Sequence, residues 1–396
     1  MKAKKMKGGL VIFLFLISLS VFAEMDIESR VSQLENQMLQ VSAKNAMGTY
    51  GATMAPTHTE QKCCMFGEVL RWCARMGGTE FVFLHHIPPI PQNVYPLKGS
   101  MQFIKHPFNW GIRGGITCDL GCDTWNAICR YTYFSTKGSK SLSMEINKSD
   151  LIPVQVAMVI MRGEDDAKFI CMQTNSQNEL NYYVLDVELK RGSFVGDSLA
   201  LYPHFGIKAA RIERDQHTCY DSRANIWAHF ALSNKELGEL VMRRIRGEEV
   251  VDRSSIYTVD RCCFKGIGLG LGMDSDWHLS AEWSLYGNIS GGLLFGHYRL
   301  NHHAWWDYKE DDRIELVENR HCLIPSLQMQ CGVRFARYNK KYTQYIAFNC
   351  GFETNYWWRQ SQSVFTIQAR KSKENLVWRS EDLGLFGFLI GFRWGF

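Results

Sequence analysis

From Trp110 onward, apolar and polar residues alternate with a period of two in one segment after another, which marks strands with one apolar face. Trp110, Ile112 and Ile116 stand opposite Arg113, Gly115 and Thr117, and Trp125, Ala127, Cys129, Tyr131 and Tyr133 stand opposite Asn126, Arg130 and Thr132. The alternation returns at residues 183–190, 201–209, 266–273, 281–295, 327–335, 346–352 and 383–396. In the last of these, Phe386, Phe388, Ile390, Phe392, Trp394 and Phe396 share one face; the other holds Leu, Gly and Arg393. A strand so long and apolar needs a covering layer or lipid on its aromatic side.

A soluble β-sandwich also alternates, and the spacing of the connections separates the two. Tight joints at 119–123, 196–198, 274–276 and 338–342 alternate with long polar segments at 87–102, 136–179, 213–260, 299–321 and 358–382. Short turns at one end and long loops at the other is the asymmetry of outer-membrane barrels. With Phe66 to Leu84 as a first, less regular strand, the expected fold is an all-β antiparallel transmembrane β-barrel of about ten strands. Twelve is the alternative if IPVQVAMVI, starting at Ile152, supplies two more.

The segment before the barrel divides in three. Residues 1–23 carry Lys2, Lys4, Lys5 and Lys7, an apolar run from Leu10 to Leu19 and a small-residue site ending at Ala23, which together read as a cleaved signal peptide. Residues 24–46 place Ile27, Val31, Leu34, Met38 and Val41 on one helical seam, a short coiled coil through which copies can associate or an amphipathic helix at the barrel mouth. Residues 47–65 read as a linker and 66–396 as the barrel. Within the segment 213–260, Ser233 and Glu236 form a capping box ahead of Leu237, Leu240, Val241 and Ile245, so an external helix is expected there.

Composition narrows the function. Loss of residues 1–23 takes four Lys and brings the formal charge of +5 to about +1, so no nucleic-acid partner is expected. No later apolar run approaches the length of a spanning helix, so membrane residence requires a closed barrel. The thirteen Cys are bridge candidates in an oxidising envelope. Cys63, Cys64, Cys118, Cys122, Cys219, Cys262, Cys263 and Cys322 stand out, while paired zinc hooks, catalytic motifs and cofactor loops are missing, so no metal, cofactor or catalytic residue is expected. The glycine ladder from Gly266 to Gly272 has a strand's period and is not a dinucleotide loop.

The polar-face charges are the candidate lumen lining: Arg113, Arg130, Asp186, Glu188, Lys190, Lys208, Glu282, Arg334 and Arg393. In a wet lumen, six bases against three acids bias it mildly toward anions; in a narrow ten-strand interior they pair and plug it. His297, His302, His303, Asp307, Asp311 and Asp312 cluster in one external segment, a composition also found at the rim of omptin-type proteases. That gives an enzymatic alternative to a pore, a structural barrel or an adhesin.

The segments FNWGIRGGITCDLGCDTWNAICRYTYF, LYPHFGIKAARIE, GIGLGLGMDSDWHLSAEWSLYGNISGGLLFG and IPSLQMQCGVRFARY resemble the pore-forming major-outer-membrane-protein-like family of Legionella and environmental chlamydiae. The resemblance runs from about Phe66 to Phe396. It implies an outer-membrane location, a porin-like or structural role, and a terminal assembly signal at Phe392, Trp394 and Phe396. The implied partners are outer-membrane lipid, the barrel assembly machinery and disulfide-linked envelope proteins.

Overall fold

The computed structural model describes residues 63–396 except 87–98, 121–124, 146–148, 156–170, 195–198, 224–252, 281, 308–312, 339–343 and 368–374. The expected signal peptide, the 24–46 helix and the external helix after Ser233 all lie outside the described residues.

Fourteen strands are described: β1 (Cys63–Met76), β2 (Glu80–His86), β3 (Gly99–Phe103), β4 (Asn109–Asp119), β5 (Trp125–Ser143), β6 (Ser149–Pro153), β7 (Gln173–Arg191), β8 (Ser193–Phe194), β9 (Leu199–Arg223), β10 (Arg253–His278), β11 (Trp283–Trp306), β12 (Arg313–Tyr338), β13 (Tyr345–Ile367) and β14 (Asn375–Gly395). Ten of them close a ring. The order runs β10, β11, β12, β13, β14, β1, β4, β5, β7, β9, and β9 pairs back onto β10. Every pairing is antiparallel, and β14 binds both β13 and β1, so neither the first nor the last described strand leaves a bare edge. The backbone N–H of Phe396 donates to the Cys63 carbonyl at 3.1 Å, pinning the last residue at the turn end.

Three expectations are corrected. Residues 66–84 are not one strand. β1 stops at Met76, and β2 leaves the ring to form a separate three-stranded sheet with β3 and β6. The alternative of two further barrel strands fails, since Ile152 and Pro153 belong to that small sheet. The joint at 274–276 is also displaced, because β10 continues to His278 and pairs to β11 as far as Ser284.

The long polar segments are corrected as well. Much of what reads as loop is strand: β9 runs to Arg223, β10 begins at Arg253 and β11 continues to Trp306. These extensions keep the period of two but exchange its faces. Near the turns of β9, Phe205 and Ile207 point outward and exposed while His204 and Lys208 point inward and buried. Further along the same strand the buried residues are the apolar Ile212 and Tyr220 with Arg214, Gln216 and Thr218 between them, and Arg211, Glu213 and His217 face out. β10 does the same, with Leu269 and Leu271 outside near the turn and Phe264 and Ile256 inside toward the loops. The apolar face must meet lipid in one half and its own side chains in the other.

Candidate functional site: the barrel lumen

The lumen is filled in three layers. At the turn end six cations meet six carboxylates. Arg113 lies between Glu68 (Nη1 to Oε2, 2.9 Å) and Glu353 (Nη2 to Oε1, 2.6 Å) and donates from Nε to the Thr132 hydroxyl at 3.0 Å. Arg130 reaches Asp186 at 3.3 Å and Glu188 at 2.9 Å, and Lys208 holds the other Asp186 oxygen at 3.0 Å. Lys190 bonds Asp274 at 2.5 Å, and Arg334 donates to both oxygens of Asp276 at 2.7 and 2.8 Å. His204 stands between Glu188 (3.4 Å) and Asp274 (3.5 Å), while Arg393 lies over the Phe66 ring at 5.4 Å. Amides complete the acids: Gln328 and Asn355 donate to Glu353 at 2.8 and 2.9 Å, and Asn349 to Glu68 at 3.2 Å. A small cleft of about 50 Å³ lies among these groups, lined by Glu68, Arg130, Lys190, Asp274 and Arg334.

Above the charges lies an apolar layer. Trp72 packs on Phe134 (5.6 Å between centroids) and on Tyr182 (6.2 Å), and Tyr182 meets Trp357 at 6.0 Å. Tyr182 belongs to β7 and Trp357 to β13, strands five places apart in a ring of ten. Their contact therefore bridges the full diameter. Phe264 and Tyr298 fill the rest at 4.8 Å, and Leu294, Ile324 and Leu389 are fully buried beside them. Part of the glycine ladder makes this possible, since a Cβ at Gly266 or Gly296 would collide with the Phe264 ring.

The third layer is the small sheet. Phe81, Val82, Ile104 and Leu151 form one buried cluster with Tyr220 of β9 and Ile256 of β10. The Tyr220 hydroxyl donates to the Phe81 carbonyl at 2.5 Å and Thr258 donates to Gln155 at 3.0 Å, which pins the sheet to the inner wall. Beside it His106 is buried, and desolvation lowers its pKa to about 4.

Eight of the nine expected lumen residues do point inward. Glu282 does not: it sits in the turn after β10, about half exposed, with its carboxylate 3.8 Å from Arg337. Glu68, Asp274, Asp276 and Glu353 replace it, so the expected excess of bases is corrected to an even balance. Asp274 and Asp276 continue the inward phase of Gly266 to Gly272, and that phase was the available signal.

Among the described residues, the rim histidines point to different faces and do not form one cluster. His302 points inward, its Nδ1 2.5 Å from Asp260, and His303 points outward, 3.9 Å from Glu315. His297 packs on His321 on the outer face at 4.9 Å, and Asp311 and Asp312 lie outside the described residues. Among the candidate cysteines, Cys63 and Cys118 are register partners with sulfurs 3.1 Å apart. Cys263 donates to Glu213 at 3.3 Å, Cys262 is buried, Gln362 donates to Cys322 at 3.9 Å, and Cys64 and Cys219 are half-buried. Cys122 lies outside the described residues. Phe392, Trp394 and Phe396 face outward at the turn end of β14.

A closed ten-strand antiparallel ring with an apolar outer belt and polar filling defines an outer-membrane β-barrel protein. The particular family follows from the sequence match: residues 70–396 fit the family described as the Legionella pneumophila major outer membrane protein precursor, and the chain belongs to it. No curated protein matches in sequence. Among solved structures, the outer membrane protease OmpT of Escherichia coli aligns at 10% identity over 85% of this chain and 98% of that one, with a TM-score of 0.39. The toluene transporter TodX of Pseudomonas putida aligns at 8% identity over 84% and 90%, with a TM-score of 0.27. Both are barrel likenesses and carry no functional weight.

Proposed function

We propose that this chain is an exported outer-membrane barrel that serves the envelope structurally with its lumen closed. The observation that carries this reading is the Tyr182–Trp357 contact across the diameter, because an apolar layer spanning the lumen leaves a hydrated ion without a polar path. The ion pairs below it and the small sheet above it act in the same sense.

A second reading is a porin-like pore for passive diffusion of small solutes, entered when the small sheet withdraws. The charged cleft at the turn end supports it, since those groups would line the lower part of such a path. With acids and bases balanced, that path would discriminate weakly by charge.

Conductance of the refolded full chain in planar bilayers separates the two. The closed barrel predicts a silent membrane despite heat-modifiable, folded protein. Regular discrete steps would reject closure in favour of the pore.

A further inference from the structure

The outer wall of the barrel carries a feature that the filled lumen does not explain. On four adjacent strands, the first outward side chain beyond the apolar belt is basic or imidazole: Arg211 on β9, Lys265 on β10, His297 on β11 and His321 on β12. These four are direct register partners, Arg211 with Lys265, Lys265 with His297, and His297 with His321. Adjacent strands lie about 5 Å apart, so the row is continuous. Elsewhere the same border is differently built, with Tyr183 on β7, Tyr133 on β5 and Asp382 on β14, while on β1 Arg71 stands alone between its register partners Trp110 and Phe388.

We propose that this row, with Arg299 one step above His297, binds the phosphate groups of a phosphorylated lipid in the leaflet at the loop end. The position sets the ligand's chemistry. Directly beneath the row Ile267, Leu269, Phe295 and Leu323 are between 57% and 71% exposed, a surface suited to acyl chains. A molecule with its chains on that surface holds its head group at the height of Arg211 and Lys265. Arg211 is oriented by two bonds to Glu213, at 2.9 and 2.6 Å, yet its side chain remains 53% exposed. Lys265 is exposed as well, and His297 and His321 add ring N–H donors. Glu213 is the one acid in the next row up, which otherwise holds Cys263, Arg299 and Asn319. Cations at a membrane surface attract anionic head groups additively, and guanidinium groups fit phosphate oxygens in pairs.

The test uses the full chain refolded in a neutral detergent, with bound lipid counted by native mass spectrometry. Three probes are added in turn: a bisphosphorylated glucosamine-disaccharide lipid, its dephosphorylated counterpart, and the first lipid in the presence of excess inorganic phosphate. The phosphorylated lipid should be retained and the dephosphorylated one lost. Arg211→Gln/Lys265→Gln/Arg299→Gln should weaken retention by about tenfold or more. Arg211→Lys/Arg299→Lys, which keeps the charge, should restore most of it. Arg71 and Arg75 project from β1, five strands from β10, where they stack on Trp110 and Phe386. Arg71→Gln/Arg75→Gln should therefore leave retention unchanged. Equal binding of the dephosphorylated lipid, or unaltered retention by the folded triple variant, overturns the proposal. Retention should survive the excess inorganic phosphate; displacement by it would reassign the row to a free anion and overturn the proposal too.

Discussion

The two halves of the barrel solve opposite packing problems with the same strands. At the turn end the wall is apolar outside and the interior holds Arg113, Glu353, Asp186 and Lys208 almost without solvent. At the loop end the wall is polar outside and the interior holds Leu180, Ile212, Phe264 and Trp357. The exchange takes place within single strands: along β7 the inward residues pass from Lys190, Glu188 and Asp186 to Val184, Tyr182 and Leu180. One half is stabilised from without by lipid and from within by charge pairing. The other combines an apolar layer with buried, hydrogen-bonded polar groups beyond it, among them Ser176, Asn178, Arg214, Gln216 and Thr218.

The sharpest way to break this comparison is to remove a charge from the lower interior. Arg113→Met leaves Glu68 and Glu353 buried without their cation and should cost about 3–5 kcal/mol, read as a fall in the urea midpoint of the refolded barrel. Adding Glu68→Gln and Glu353→Gln should recover much of the loss. If Arg113→Met alone is neutral, the charged filling is not integral to the lower half.

The outer wall offers a paired test of smaller size. Leu269, 71% exposed at mid-belt, should lose about 2–4 kcal/mol as Leu269→Arg, as cations do at the bilayer midplane of such barrels. Arg261, exposed on the same face of the same strand, should change by less than about 0.5 kcal/mol as Arg261→Leu. Similar costs at the two sites would mean that the lipid boundary is not where the faces exchange.

The smallest effect concerns pH and the upper half. His106 titrates near 4 in the folded protein against 6.5 ordinarily. Between those values the unfolded chain takes up a proton that the folded one refuses. Stability is therefore full above about pH 6.5 and declines as pH falls toward 4, by on the order of 1–3 kcal/mol. Denaturation midpoints at pH 7.5 and 5.0 should differ in the native chain and converge in His106→Gln.

The lower half was legible in sequence because lipid demands an unbroken outward apolar phase, as in Phe386 to Phe396. The upper half was not, because its strands are polar on the solvent side and read as loops. Yet Ala210 and Ile212 already show the apolar phase of β9 inverting after Ala209. Glu68 and Glu353 escaped notice because an isolated acid in an apolar or mixed strand gives no local sign of its partner. Arg113 reaches Glu353 only once β4 and β13 stand on the same ring, 240 residues apart in the chain.

The pairing of β14 with both β13 and β1 also has a consequence in time. From Cys64↔Gly395 to Met76↔Leu383, the seam joins the first described strand to the last described one. Until β14 docks, β1 and β13 each present a row of unused hydrogen-bonding groups, and the entropy of joining such distant segments has yet to be met. Closure is therefore a late event, and a chain halted before Phe386 would be left as an open, adhesive sheet.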